Sequence, residues 1–158
     1  MTGKIAVGGI TRTEGLVIIK ILGAGAGQDL VGRALSGLGL KGINISCVTS
    51  FADRDGLNNL AFAISADDLD QTLGILQAMQ DDMEIGRIDY QRRCTALSIY
   101  GPHFSERPAI AGTVFEATGE AGVPIHLIAT SFSTVTFLTD SDRAADAEAQ
   151  LREHFLVP

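Results

Sequence analysis

The chain alternates between apolar runs with β-strand character and segments whose apolar residues recur at helical spacing. The run 16–22 is rich in valine and isoleucine and stops at a cluster of glycines, which predicts a strand followed by a loop. Asp29 can then cap a helix that ends near Leu38, because the leucines and alanines of this segment share one face. Alternation over 43–47 predicts a half-buried strand that contains Asn44.

The pattern continues through a hairpin, a second helix and a closing strand. Asp55-Gly56 predicts the hairpin turn between this strand and the next. Leucines from Leu69 to Leu76, followed by Met79, form the stripe of a helix that lies on a sheet. The run 85–91 then predicts the strand that closes a strand, helix, strand, strand, helix, strand module.

A second copy of this pattern follows at an offset of 80 residues. The offset places Gly32 over Gly112, Leu35 over Phe115, Gly42 over Gly122, and Ile43-Asn44-Ile45 over Val123-Pro124-Ile125. The second copy predicts a strand at 96–100, a helix that begins near Pro108 and a final helix that includes Leu151. It ends without the closing strand of the first copy.

The segment 4–11, at the other end of the chain, is predicted to supply the missing strand. The first module would then be inserted into the second, with domains at 14–92 and at 1–13 plus 93–158. Helices on one face of an antiparallel sheet in the order βαββαβ predict an α+β, ferredoxin-like fold.

Composition and charge narrow the range of partners. The 158 residues hold 12 Lys and Arg against 19 Asp and Glu, a formal charge of −7 that argues against a nucleic-acid partner. No apolar run is long enough to span a membrane, and the start has no hydrophobic signal region, so we expect a cytoplasmic protein with no membrane partner. Cys47 and Cys94 suggest neither a disulfide framework nor a zinc site, and each is expected to be a small buried apolar residue.

Catalytic chemistry finds little support in the residue pattern. His103, His126 and His154 have neither an i, i+4 histidine nor a nearby cysteine, which argues against a metal site. The serines lie in no nucleophile elbow, and the paired carboxylates belong to helix ends or solvated faces. We therefore expect no catalytic residue, no metal and no cofactor.

The glycine-rich loop 23–27 stands where a phosphate-binding turn would stand. The dinucleotide spacing fails, because Gln28 occupies the place of the third glycine counted from Gly23, and no Walker lysine follows. The loop instead suggests that a ligand or a partner strand approaches the backbone N–H groups at the helix start, where a carboxylate would be stabilised. Gln28 and Asp29 are candidate binding residues on this ground.

Three asparagines form the other candidate group. Asn44 interrupts an apolar strand pattern, and Asn58 and Asn59 open the strand that should pair with it. Amide side chains offer donors and acceptors that suit the amino and carboxylate groups of an amino acid. The alternative that they satisfy turn and edge backbone groups remains equally open.

The whole chain resembles the C-terminal regulatory region of aspartate kinase, a tandem pair of ACT domains that binds end-product amino acids. The matching stretches are Lys41-Gly-Ile-Asn-Ile45, Asp55-Gly56, Ser105-Glu-Arg-Pro108 through Val114-Phe-Glu-Ala117, Glu120-Ala-Gly-Val123, Ile128-Ala-Thr-Ser131 and Leu151-Arg-Glu-His-Phe155. The second domain of that family also borrows a strand from ahead of the first. The resemblance implies a regulatory amino-acid sensor, homodimerisation through ACT sheet edges and a separate enzyme partner.

Departures from the family pattern change the expected ligand. The kinase domain and its nucleotide signature are absent, so the chain is not expected to phosphorylate aspartate. In the stretch 25–29 the family's acidic loop residue is displaced to Asp29, and 57–59 replaces a Thr-Thr-Asp motif. Pro124 replaces an asparagine, and 131–134 lacks the family's charges. A neutral amino acid is therefore at least as well suited as a basic one.

The sequence thus predicts an amino-acid site at the interface between ACT modules. One side comprises 27–29, including Gln28 and Asp29, with Asn44, Ile45, Ser50, Asn58 and Asn59; the other comprises Pro124, Ile125, Thr130 and Ser131. A ligand-free ACT scaffold that assembles with a partner enzyme is the alternative. An acylphosphatase-like enzyme ranks last, because the first loop has no arginine before Arg33.

Overall fold

The structure is a computed structural model that describes residues 3–27 and 29–158. Its elements in chain order are β1 (Ile5–Ala6), β2 (Gly9–Ala24), α1 (Leu30–Gly39), β3 (Ser46–Ala52), β4 (Asn58–Ser65), α2 (Leu69–Met79), β5 (Arg87–Tyr100), α3 (Ile110–Glu120), β6 (Leu127–Thr130), β7 (Thr134–Asp140), α4 (Ala144–His154) and β8 (Phe155–Leu156). The chain divides into two compact units. The inner unit is Gly15–Arg93, and the outer unit joins the residues up to Glu14 to Cys94–Pro158.

The inner unit places α1 and α2 on one face of a sheet. Its strands follow the order β3-β4-β2-β5, and β4 runs antiparallel to both β2 and β3. Alternate residues of β2 and β4 point to the helices, so Val17, Ile19 and Phe62 are almost completely buried in one apolar core. Leu38 of α1 and Leu76 of α2 close this core from the other side. The α+β, ferredoxin-like expectation is confirmed.

The outer unit repeats the plan with α3 and α4. Its strands follow the order β2-β5-β7-β6, and β7 runs antiparallel to β5 and β6. The segment 4–11 forms β1 and the start of β2, and β1 pairs in parallel with β8. The core of the unit gathers around Phe137 and Leu151, which are fully buried, and the Phe115 ring meets the Phe137 ring edge to face at 6.0 Å.

Two strands are longer than their sequence pattern indicates. We predicted separate strands at 85–91 and 96–100, and β5 is instead one strand of 14 residues. Likewise, β2 has 16 residues and continues through 12–14, a polar segment that separates two predicted strands in the sequence pattern. Polar residues can continue a strand where they face solvent, as Arg12 and Glu14 do with an ion pair of 3.0 Å. The prediction of separate strands at 4–11 and 16–22 was therefore wrong, because one strand covers residues of both.

The 80-residue repeat is visible in the backbone after α1 and α3. Ile43 N–H donates to Leu38 O at 3.2 Å, and Val123 N–H donates to Thr118 O at 3.0 Å, 80 positions later. Gly42 and Gly122 both have positive φ, of 74° and 63°, which glycine adopts without a side-chain clash. The two helices therefore end in the same way.

Replacing Thr72 by valine is expected to stabilise the protein by about 1 kcal/mol. Thr72 lies in α2 and is fully buried, and its hydroxyl has no hydrogen-bond partner among the described residues. Valine has nearly the same shape and removes the unsatisfied hydroxyl. Urea unfolding should show a higher midpoint with an unchanged slope.

Thr139→Val is the matched control. Thr139 is also fully buried, but its hydroxyl donates to Pro124 O at 2.5 Å. The same substitution should here cost about 1–2 kcal/mol, because it leaves that bond unmade. Equal effects of the two substitutions would contradict the assignment of Thr72 as unsatisfied.

Candidate functional site

The loop between β2 and α1 is held in place by the inner unit itself. Gly23 N–H donates to Asn59 Oδ1 at 3.0 Å, and Gly25 N–H donates to Met83 O at 3.1 Å. Asn58 Nδ2 donates to Gly25 O at 3.2 Å. These bonds use two of the loop N–H groups that the sequence suggested a ligand would approach.

The start of α1 is capped by its own side chain. Asp29 Oδ1 accepts from Gly32 N–H at 3.0 Å, which confirms the predicted cap. A Cβ on Gly32 would collide with the Asp29 carboxylate, so glycine leaves room for the cap. Asp29 is exposed, and Gln28 lies outside the described residues. The exposed carboxylate is placed at the N-cap of α1, directly ahead of the first turn, which itself holds no acidic residue.

Asn58 and Asn59 point to opposite faces of β4. Asn58 shares its face with Leu60 and Phe62 of the core, and it therefore reaches the loop at the start of α1. Asn59 is 6% exposed, and its Nδ2 donates to Phe51 O and Leu57 O at 3.4 and 3.3 Å. With Gly23 N–H on Oδ1, the Asn59 amide is fully engaged with backbone groups. For Asn59, the structure supports the reading in which the side chain satisfies the turn and the edge.

Asn44 lies outside the strand in which the sequence placed it. β3 begins at Ser46, so Asn44 belongs to the irregular connection after α1 and is exposed. The pairing of β3 with β4 shifts register between Ser46 and Thr49, and Cys47 between them has a φ of 52°. This β-bulge interrupts the alternation that the pattern 43–47 suggested. Ile45 is partly buried and packs against the core.

Cys47 departs from the expectation of a small buried apolar residue. It is only partly buried, whereas Cys94 is completely buried as predicted. Partial burial raises the pKa of the Cys47 thiol, and a hydrogen bond with Ser46 opposes that shift. The thiol therefore stays protonated at neutral pH, so Cys47 adds no charge beside Asn44 and Ile45.

Ser50 lies opposite Leu60 on β3, which is the edge strand of the inner unit. Two rungs along, Ala52 lies opposite Asn58. Ser50 therefore shares the face of Asn58 and α1, at the exposed rim of that face. The sequence-predicted residues that come together here are Ser50 and Asn58 with the start of α1.

The outer unit places Pro124 and Ile125 where the repeat predicts, two and three residues after Gly122. Pro124 O accepts the Thr139 hydroxyl, and Ile125 is partly buried against the outer core. Proline has no N–H and no polar side chain, so this position offers a ligand less than Asn44 offers in the inner unit. The two halves of the repeat are alike in backbone and unlike in chemistry.

Thr130 and Ser131 stand at the hairpin between β6 and β7. Ser131 Oγ accepts from Thr134 N–H at 3.1 Å and from Ser133 N–H at 3.3 Å, and it lies 2.7 Å from Thr134 Oγ1. This pattern is that of a serine turn, which gives Ser131 a structural role. Thr130 is exposed at the end of β6.

Sequence reasoning missed an ordered polar pair beside Pro124 and Ile125. His126 Nε2 lies 2.9 Å from Asp140 Oδ1, and His126 N–H donates to Leu138 O. The side chain of His126 is 21% exposed, so the pair is partly shielded from solvent. In the sequence, only its position could have pointed to His126, because it directly follows 122–125, the segment that repeats 42–45.

Among the described residues, no group of three or more His, Cys, Asp or Glu could hold a metal ion. No helix in the described part of the chain is long and apolar enough to cross a membrane.

A family model and a known protein both match this chain. Residues 97–155 match the model of the ACT domain. The chain is 24% identical over 155 residues to an aspartokinase of Geobacillus stearothermophilus, covering 98% of this chain and 37% of that protein. The chain therefore spans less than two fifths of the length of this curated relative.

Two solved structures have the same fold. The ligand-free regulatory subunit of aspartate kinase from Thermus thermophilus superposes with a TM-score of 0.85 at 21% identity, covering 96% of this chain and 99% of that one. A structure of aspartokinase alpha and beta subunits gives a TM-score of 0.86 at 23% identity, covering 94% of this chain and 98% of that one.

Proposed function

We propose that this ACT-domain protein, which resembles the regulatory region of aspartate kinase, is a non-catalytic module that binds an amino acid and regulates a separate enzyme. The observation that carries the proposal is the likeness to the regulatory subunit from Thermus thermophilus, which extends over 96% of this chain. The ACT-domain match in the outer unit supports it. The activity regulated is proposed to be that of an aspartate kinase.

Both units are proposed to be ACT domains, with boundaries at 14–92 and at 1–13 plus 93–158. The family match covers 97–155, so the proposal for the inner unit rests on its own features. These are its compact boundary at Gly15–Arg93 and the helix ending that recurs 80 residues later. Two units with one strand order and one helix ending support an internal duplication.

The amino acid is proposed to bind beside the start of α1 in the inner unit. Ser50 and Asn58 share a face with this helix start, and Asn44 adds an exposed amide in the connection to β3. The N-terminus of a helix stabilises a carboxylate, and Asp29 or an asparagine amide can accept from an ammonium group. Pro124, Ile125, Thr130 and Ser131 are proposed as the equivalent surface of the outer unit.

A homodimer through sheet edges is proposed as the working assembly. β3 and β6 end the strand order of their units, and edge strands present unpaired backbone groups. β3 also exposes Val48 and Phe51, by 43% and 61%. A second copy that pairs with β3 would cover both the backbone edge and these side chains.

An amino acid that binds should raise the melting temperature of the purified protein. At a concentration of about 100 times Kd, a ligand adds about 2.7 kcal/mol of stability, which corresponds to a shift of several degrees. A thermal-shift screen of the twenty amino acids, followed by calorimetry on each hit, measures this. Asn44→Ala is expected to abolish the shift and leave the fold intact, because Asn44 is exposed.

Gln71→Ala is the control, since it removes an exposed amide from α2, on another element of the inner unit. The control should bind as the wild type does. Equal binding by wild type and Asn44→Ala would refute the placement of the site. Failure of all amino acids to bind the wild type would support the second candidate function, a ligand-free ACT scaffold. The hydrogen bonds that Asn59 and Ser131 already make with nearby backbone groups favour this alternative.

A further inference from the structure

We propose that the inner unit carries a separate binding site for a phosphate group, in a groove on the sheet face that points away from α1 and α2. The groove has a volume of about 350 Å³ and is lined by Lys20, Arg87, Asp89, Tyr90 and Gln91. That volume lies in the range of small-molecule sites. This inference goes beyond the proposed amino-acid site, which lies at the start of α1.

The strand pattern explains why polar residues meet here. Ile19 and Ile21 of β2 point into the core with the helices, so Lys20 points to the opposite face. Ile88 packs on the same core, so Arg87 and Asp89 share the face of Lys20. Because β2 and β5 are neighbours in the sheet, these three side chains line one groove.

The charges in the groove leave a net positive site. Arg87 Nε donates to Asp89 Oδ1 at 2.7 Å, which orients the guanidinium group and compensates the one carboxylate of the lining. Lys20 is partly buried, and no carboxylate oxygen of a described residue lies within 4.0 Å of its ammonium nitrogen. An anion can therefore gain the lysine charge and the remaining guanidinium donors together.

The distribution of charge along the inner unit supports an anionic ligand. Residues 15–93 hold ten Asp and Glu against seven Lys and Arg, and only one of those carboxylates, Asp89, lines the groove. In a unit that is negative as a whole, this local reversal of charge attracts anions to one place.

The groove contacts define the anionic group of the ligand and leave its remainder open. Tyr90 borders the groove and is about half exposed, but the alternation that places Ile88 on the core face places the Tyr90 ring on that face too, away from Lys20 and Arg87. Inorganic phosphate and a phosphate monoester share the anionic group that Lys20 and Arg87 would contact, and they differ in the organic body.

The test is a titration of the full chain, without amino acids and at low ionic strength, followed by phosphorus NMR and calorimetry. The probes are inorganic phosphate and glycerol 3-phosphate. We expect saturable binding that weakens about tenfold or more in Lys20→Met and in Arg87→Gln, with unchanged melting temperatures. Tighter binding of the ester supports an organic phosphate as the ligand, and equal or tighter binding of phosphate supports the free ion.

Arg54→Gln is the matched control, because Arg54 is an exposed cation in the turn between β3 and β4. It should bind both probes as the wild type does. Three results would overturn the proposal: non-saturable binding, wild-type affinity in both groove variants, or a loss in Arg54→Gln as large as the loss in the groove variants. Should Lys20→Met fail to fold, Arg87→Gln decides alone, since that side chain is 73% exposed. Phosphate binding would stand even if every amino acid failed to bind.

Discussion

Phe137→Ala is expected to lower the free energy of unfolding by about 3–5 kcal/mol. Phe137 is fully buried at the centre of the outer core, and its ring contacts the Phe115 ring edge to face. Truncation removes the transfer free energy of the ring and leaves a cavity that its neighbours fill incompletely. Since domains of this size are stable by about 5–15 kcal/mol, the loss is a large part of the total.

Phe132→Ala is the control for this prediction, since it makes the same change five residues away. Phe132 is 87% exposed at the turn between β6 and β7 and should change stability by less than about 0.5 kcal/mol. Urea unfolding followed by circular dichroism measures both variants. A loss below about 1 kcal/mol in Phe137→Ala would show that the outer core does not depend on this ring.

Much of the fold follows from hydrophobic period alone. Once the longer polar turn 52–56 of the first copy is allowed for, the repeat aligns Phe62 with Phe137, and the structure buries both completely in the cores of their units. The cap at Asp29 and the stop at Gly42 were predictable because capping and positive φ favour particular residue types. Local chemistry of this kind needs no knowledge of distant contacts.

The sequence pattern did not predict where the strands end or where the β-bulge lies. Polar residues at 12–14 look like a loop in the sequence, whereas in the structure β2 runs through them as part of one strand of 16 residues. The positive φ at Cys47 depends on how β3 registers against β4, which the alternation of side chains does not record. For this reason Asn44 was placed in a strand and lies outside one.

The groove around Lys20 went unpredicted for a related reason. Lys20 and Arg87 are 67 positions apart in the chain and belong to no motif. They meet because β2 and β5 are neighbours, which is a property of the topology. Candidate sites assembled from motifs therefore miss side chains that only the strand order brings together.

Asn58 and Asn59 show the same limit within the predicted site. Both open β4, and residue type alone gives them equal standing as ligands for an amino acid. Because side chains alternate along a strand, Asn58 lies on the face of α1, whereas Asn59 lies on the other face and hydrogen-bonds to three backbone groups. The two should therefore differ in what their substitution changes: Asn58 should affect binding, and Asn59 should affect stability.

Asn59→Ala is expected to lower the free energy of unfolding by about 2–4 kcal/mol. The change leaves the Gly23 N–H group and the Phe51 and Leu57 carbonyl groups without their side-chain partner at a nearly buried position. Asn58→Ala, which removes one bond to Gly25 O, should cost about 1 kcal/mol. Urea unfolding of the two variants measures the difference, and similar losses would contradict the assignment of Asn59 as the structural residue.

Asn59→Asp separates the acceptor role of this side chain from its donor role. A carboxyl group can still accept from Gly23 N–H, but when ionised it faces the Phe51 and Leu57 carbonyl oxygens, to which the amide donated. Burial and these oxygens oppose the charge, so the folded-state pKa of the new carboxyl should lie above the unfolded value of about 3.9. The folded state then binds the proton more tightly, and the stability of the variant relative to wild type should be highest below about pH 4 and fall as the pH rises through the folded-state value. Urea unfolding of Asn59→Asp and wild type from pH 4 to 8 tests this sign, and a difference that stays constant over the range would contradict the raised folded-state pKa.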